Sequence, residues 1–202
     1  MVDERQGGFS LRDVSDGAEE SCYVRMTEAL RTFLDDLAGA APDDRTTDQL
    51  ADDLATWSSR LRRFSVREAD QMFARQNAVA GRGQTMAPKL TFDEVSDSRA
   101  RGRVVFGRYF LGGNGAVHGG AIPLLFDEIM GRLANGGRTP ARTAFIHVDY
   151  RSITPIEKPL ILSAWFENEE GRKRLLRGEL REGSTLCAEA HGLFVELKPG
   201  QP

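Results

Sequence analysis

Apolar positions divide the chain into three textures. Residues 1–20 show neither helical nor strand periodicity and are polar, acidic and glycine-containing, which predicts a disordered tail. From residue 23 to 38, Val24, Leu30, Phe33, Leu34 and Leu37 recur at helical spacing, and Gly39 follows as a stop. A second helix is expected from about Thr47 to Phe64. It carries Leu50, Leu54, Trp57, Leu61 and Phe64 on one face, with Thr46 or Thr47 as its cap. Amphipathic helices need a surface to cover, so this helical extension over 21–80 is expected to pack on the rest of the chain. Trp57 and Trp165 are read as core residues. Gly81, Gly83 and Pro88 mark a linker.

Beyond Lys89 the pattern changes to strands. Leu90–Glu94 is a short one and Arg101–Leu111 a longer one. Thr143–Ile153 alternates, with Ala144, Ile146, Val148 and Tyr150 on one side and Thr143, Phe145, His147 and Asp149 on the other. Strands over 159–168, 172–181 and 184–197 follow, joined by short glycine turns that imply antiparallel pairing.

One stretch between these strands has a different texture. Gly112 to Val117 is a glycine-rich loop leading to His118-Gly119-Gly120 and then a run of apolar residues to Ala134. Val117, Ala121, Ile122, Leu124, Leu125, Phe126, Ile129, Met130, Leu133 and Ala134 leave no broad polar stripe, so this helix is expected to be buried. Pro123 must lie in its first turn, which sets the start at Gly119 or Gly120. Asn135-Gly136-Gly137 ends it. An antiparallel sheet wrapped around one long buried helix, an α+β architecture, accommodates all of these elements.

Composition narrows the classes of function. The formal net charge of -3 offers no electrostatic case for nucleic acid or an anionic membrane surface. The first residues lack the apolar core of a signal peptide, and Cys22 and Cys187 form no metal or redox motif. The expectation is a cytoplasmic protein with reduced thiols.

The chemistry concentrates at the glycine loop and the acidic pair Asp127-Glu128. A helix N-terminus presents free backbone N–H groups and a partial positive charge, and Gly119 and Gly120 allow close approach to them. Such a place suits an oxyanion forming in a transition state. It does not complete a phosphate-binding glycine motif. His118 and Asp127 do not form a dyad within one chain. Nine residues at ~100° each place them on opposite helix faces, ~13 Å apart along the axis. If both serve one site, two antiparallel copies of the helix must supply it, which predicts a homodimer or a dimer of dimers.

His118-Gly119-Gly120 followed by Asp127 on an apolar helix resembles the hotdog-fold acyl-CoA thioesterases, PaaI-like branch. Val148 to Ile156 resembles the strand that follows the helix in that family, and the similarity spans about residues 89–197. The resemblance implies a hotdog domain over 81–202 that hydrolyses an acyl-CoA thioester without a metal or cofactor. In that reading the Gly119 N–H polarises the carbonyl, His118 shapes the loop, and Asp127 activates water or attacks directly. Gly120, Asn114, Glu128, Thr143 and Phe145 are the substrate-binding candidates. Two positions depart from the family. Gly112 stands where an Asn or acid is usual, with Asn114 nearby. Phe145 stands where a Ser or Thr usually holds the water, with Thr143 and His147 on the same predicted side as substitutes. The alternatives are a non-catalytic acyl-CoA-binding or regulatory protein and, with a different His and acid spacing, an acyl-CoA dehydratase or hydratase. The acyl group, and CoA against a carrier protein, are left open.

Overall fold

The computed structural model describes residues 21–76 and 79–201, so the tail expected over 1–20 lies outside the described residues. Two helices come first, α1 (Cys22–Gly39) and α2 (Asp44–Leu61). Strands β1 (Leu90–Val95) and β2 (Arg99–Val104) follow, then the small hairpin β3 (Leu111–Gly113) and β4 (Ala116–Val117). Helix α3 (Ala121–Asn135) leads into β5 (Ala141–Tyr150), β6 (Leu160–Glu170), β7 (Lys173–Glu182) and β8 (Thr185–Glu196). Six strands pair in the order β1-β2-β6-β7-β8-β5, antiparallel throughout.

Helix α3 lies against one face of this sheet. Ile122, Leu125, Phe126, Ile129, Met130 and Leu133 are buried and meet Leu160, Leu162, Leu176, Leu180 and Phe194 from the strands. Two glycines set how closely they approach. A Cβ at Gly178 would lie 2.9 Å from Met130 Cε and 3.0 Å from Phe126 Cδ1, and one at Gly192 would lie 3.1 Å from Met130 Sδ. Gly178→Ala is therefore expected to overpack a filled core and destabilise the fold by about 1–3 kcal/mol, read as a lowered urea midpoint. The helix is not buried all round, as the sequence suggested. Asp127, Glu128, Gly131, Arg132 and Asn135 form a half-buried stripe along it.

The alternation expected along β5 is broken at Ala144. Thr143 pairs with Phe194 and Phe145 with Leu193, so one residue of β5 is bulged out of register. Phe194 is buried against α3, which puts Thr143 on the helix side. Phe145, opposite Leu193, turns to the outer face with His147, which stacks on His191 at 5.0 Å. A bulge adds one residue and reverses the parity of every side chain before it. Thr143 and Phe145 therefore do not share a side.

The extension divides in two. Helix α1 packs on the sheet domain at two points. Arg31 donates to the carbonyls of Gln84 and Ala87, and Asp35 accepts the Tyr109 N–H at 2.9 Å. Helix α2 is capped by Asp43, whose carboxylate accepts the Thr46 N–H, rather than by a threonine. None of its residues is buried, and Leu54, Trp57, Leu61 and nearby Phe64 stand exposed. The expectation that both helices cover the core holds for α1 alone, and Trp57 is not a core residue.

Candidate active site

The glycine loop is held from three directions before α3 begins. The His118 N–H donates to the Phe110 carbonyl at 2.7 Å, and the Val117 N–H to the Thr154 carbonyl at 2.8 Å. The Ala121 N–H then closes a turn on the His118 carbonyl at 2.9 Å. Tyr150, at the end of β5, donates its hydroxyl to the Gly119 carbonyl at 2.7 Å. Pro123 sits in the first turn of α3, as its missing N–H requires.

Within this turn the two glycines have different duties. The Gly120 N–H donates to His118 Nδ1 at 3.0 Å, which assigns the ring proton to Nε2. Gly120 thus helps shape the loop rather than offering its N–H to a ligand. No acceptor among the described residues takes the Gly119 N–H. Gly119 is exposed, and a Cβ built there would first meet the Tyr150 hydroxyl, at 3.7 Å. Gly112 has a steric reason to lack a side chain, since its Cβ would stand 2.8 Å from His118 Cα. An Asn or acid at this position would displace the loop that presents Gly119. Asn114 sits at the exposed β3–β4 turn in the left-handed region, with φ of 49°.

Asp127 belongs to the half-buried stripe on α3. Thr143 Oγ1 donates to its Oδ1 at 2.8 Å, so the bulge at Ala144 brings a hydroxyl to the carboxylate. Phe145, about half exposed on the outer face, makes no part of this arrangement. Asp127 and Thr143 line a cleft of about 330 Å³ with Glu128, Gly131, Asn135 and four arginines, Arg82, Arg132, Arg138 and Arg142. Glu128 is engaged by Arg82 at 2.5 Å.

The sequence reading missed Arg82, Arg132 and Tyr150. Arg82 comes from the segment read as a linker. Gly81, Arg82 and Gly83 are consecutive left-handed residues, with φ of 71°, 56° and 66°. Glycine tolerates that conformation without strain and arginine does not, so the Gly-Arg-Gly spelling was the available signal. Arg132 packs over the Phe92 ring at 5.1 Å. Burial, and then the charge of Arg82, draw its guanidinium down to about 10 despite the opposing pull of Glu128. No three His, Cys, Asp or Glu side chains gather to hold a metal ion among the described residues. No described helix is long and apolar enough to cross a membrane.

The Gly119 N–H and the Asp127–Thr143 pair are brought to the surface of one chain but not together. Gly119 precedes α3, and six residues of helical rise, ~9 Å, lead from Ala121 to Asp127.

No family model matches the chain. Acyl-coenzyme A thioesterase THEM4 from Bos taurus is 30% identical over 95 residues, which cover 46% of this chain and 39% of that protein. THEM4 from Xenopus laevis is 34% identical over 95 residues, 46% of this chain and 43% of its own length. The chain therefore spans less than half the length of these two curated relatives. The crystal structure of a thioesterase superfamily protein superposes with a TM-score of 0.76 at 26% identity, covering 91% of this chain and 95% of its own. That share is too large for residues 81–202 alone, so the likeness takes in part of the N-terminal extension.

Proposed function

We propose that this chain, which has the hotdog fold, hydrolyses an acyl-CoA thioester to the free acid and CoA. The observation that carries this reading is the hydrogen bond from Thr143 to Asp127 at 2.8 Å, in a cleft along α3. Thr143 occupies one carboxylate oxygen and leaves the other to take a proton from water. The water oxygen bonds to the acyl carbon, and charge gathers on the carbonyl oxygen, which the Gly119 N–H receives. The C–S bond then breaks. The proton held by Asp127 passes to the departing thiolate, whose low basicity requires little acid assistance.

The helical separation of Gly119 and Asp127 makes the active species a homodimer in this proposal. Two α3 helices run antiparallel about a twofold axis, each lending Gly119 to the other's Asp127. Thiol release from a panel of acyl-CoAs, with wild type and Asp127→Ala, tests the activity. Binding of acyl-CoA without turnover by wild type would favour a binding protein instead.

Thr143→Val keeps the shape of the side chain and removes the donor. It is expected to lower kcat about tenfold with KM nearly unchanged, the scale of one hydrogen bond to a charged group. Thr143→Ser should restore most of the loss. A valine variant as active as wild type would take Thr143 out of the mechanism.

A further inference from the structure

The cleft beside Asp127 is lined by more arginines than carboxylates. Arg82, Arg132, Arg138 and Arg142 line it with Asp127 and Glu128, in a chain whose formal net charge is -3. Glu128 engages Arg82, and Glu169 lies 3.7 Å from Arg138. Arg142 is exposed at the start of β5 and meets no carboxylate among the described residues. Arg82 and Arg132 repel each other in a desolvated place, and this lowers the Arg132 guanidinium. Another negative charge in the cleft would relieve that repulsion. Most of the lining side chains are polar or charged, with Phe194, Pro140 and Ala141 the apolar ones. Guanidinium forks match a carboxylate or phosphate.

Distance selects between those two anions. The phosphates of CoA are separated from its sulfur by the whole pantetheine arm with its two amides. The arginines are much nearer the reacting centre, because Arg82 contacts the residue adjacent to Asp127 in a cleft of about 330 Å³. A carboxylate a few carbons from the thioester fits that span.

We propose that the cleft is a subsite for a carboxylate at the far end of the acyl group, making the substrate a CoA monothioester of a dicarboxylic acid. The proposal rests on the thioesterase reading and names its substrate class.

The test compares adipoyl-CoA with hexanoyl-CoA, which have the same carbon count and differ by the terminal carboxylate. The full chain is used as wild type, Arg142→Ala and Arg132→Gln. Wild type is expected to favour adipoyl-CoA in kcat/KM by about tenfold or more, the scale of one charge-assisted pair. Either arginine variant should shrink that ratio, mainly through KM. Arg142 is exposed, so its variant remains informative if Arg132→Gln fails to fold. Equal handling of both thioesters by wild type, with a ratio the variants do not move, overturns the subsite and leaves the thioesterase reading intact. Losses shared by both CoA thioesters but absent from the matching pantetheine thioesters would assign the arginines to phosphate and also overturn it. If neither thioester is hydrolysed, the thioesterase reading fails, and the thermal midpoint with adipate alone decides the subsite. A rise in wild type that Arg142→Ala lacks supports it, and no rise overturns it.

Discussion

Asp127→Asn is expected to lower kcat about a thousandfold and to change KM by less than about threefold, within the range for removal of a general base. The substitution is nearly isosteric. The Asn carbonyl can still accept from Thr143 Oγ1, which in the native protein lies 2.8 Å from Asp127 Oδ1. Asp127 is half-buried, so the substitution leaves the packing of α3 on the sheet in place. What disappears is the ability to take a proton from water, and a thousandfold corresponds to about 4 kcal/mol of transition-state stabilisation. Steady-state thiol release, paired with circular dichroism to verify folding, checks the result. A variant within tenfold of wild type would move the base elsewhere. The same drop produced by Asp127→Ala but not by Asp127→Asn would indicate that shape, not proton transfer, is what Asp127 supplies.

Mixing two inactive variants should restore activity. Gly119→Pro removes the N–H offered to the carbonyl oxygen, and loss of one such donor costs about a hundredfold to a thousandfold in kcat. Asp127→Ala removes the base. If each site draws Gly119 from one subunit and Asp127 from the other, a heterodimer of the two contains one intact site and one doubly damaged site. Random assortment after co-refolding should then return about a quarter of wild-type activity. Gly119→Ala keeps the N–H and adds a carbon with room around it, its nearest neighbour being the Tyr150 hydroxyl at 3.7 Å. It separates the missing donor from the added bulk and should retain far more activity than the proline variant. A mixture no more active than its parents, with heterodimers demonstrated by mass spectrometry, would place both halves of the site within one chain.

Much of the architecture was legible because period and punctuation agreed. Pro123 and Asn135-Gly136-Gly137 bracketed α3 to within two residues of its observed span. Short glycine turns announced the antiparallel β6–β8 meander. The loop was legible for the same reason, since few backbone conformations bring His118 and two glycines to a helix start. The errors have separate physical causes. A bulge leaves no residue-type signature at Ala144, so counting by twos placed Thr143 beside Phe145. Asp43 outcompeted the threonines as a cap because it precedes the first free N–H groups of α2 by the correct offset. Amphipathicity showed that α2 has an apolar face but not that the same chain would cover it, and Trp57 remains exposed. Arg82 reaches Glu128 across 46 residues of sequence, a pairing that no local pattern encodes.

The Gly81-Arg82-Gly83 turn ties distant parts of the chain into one equilibrium. Arg31 of α1 grips the carbonyls that follow the turn, and a Cβ at Gly81 would lie 2.8 Å from the Arg31 guanidinium. A Cβ at Gly83 would lie 3.0 Å from the Tyr23 ring of the same helix. Through Asp35 and Tyr109, α1 also braces the segment that leads to His118. Local opening of α1 is therefore expected to weaken the hold on Arg82 and on the approach to the glycine loop together. By linkage, a ligand in the cleft is then expected to slow amide exchange in α1. The extension would serve as a thermodynamic reporter of a site to which it contributes no reacting atom.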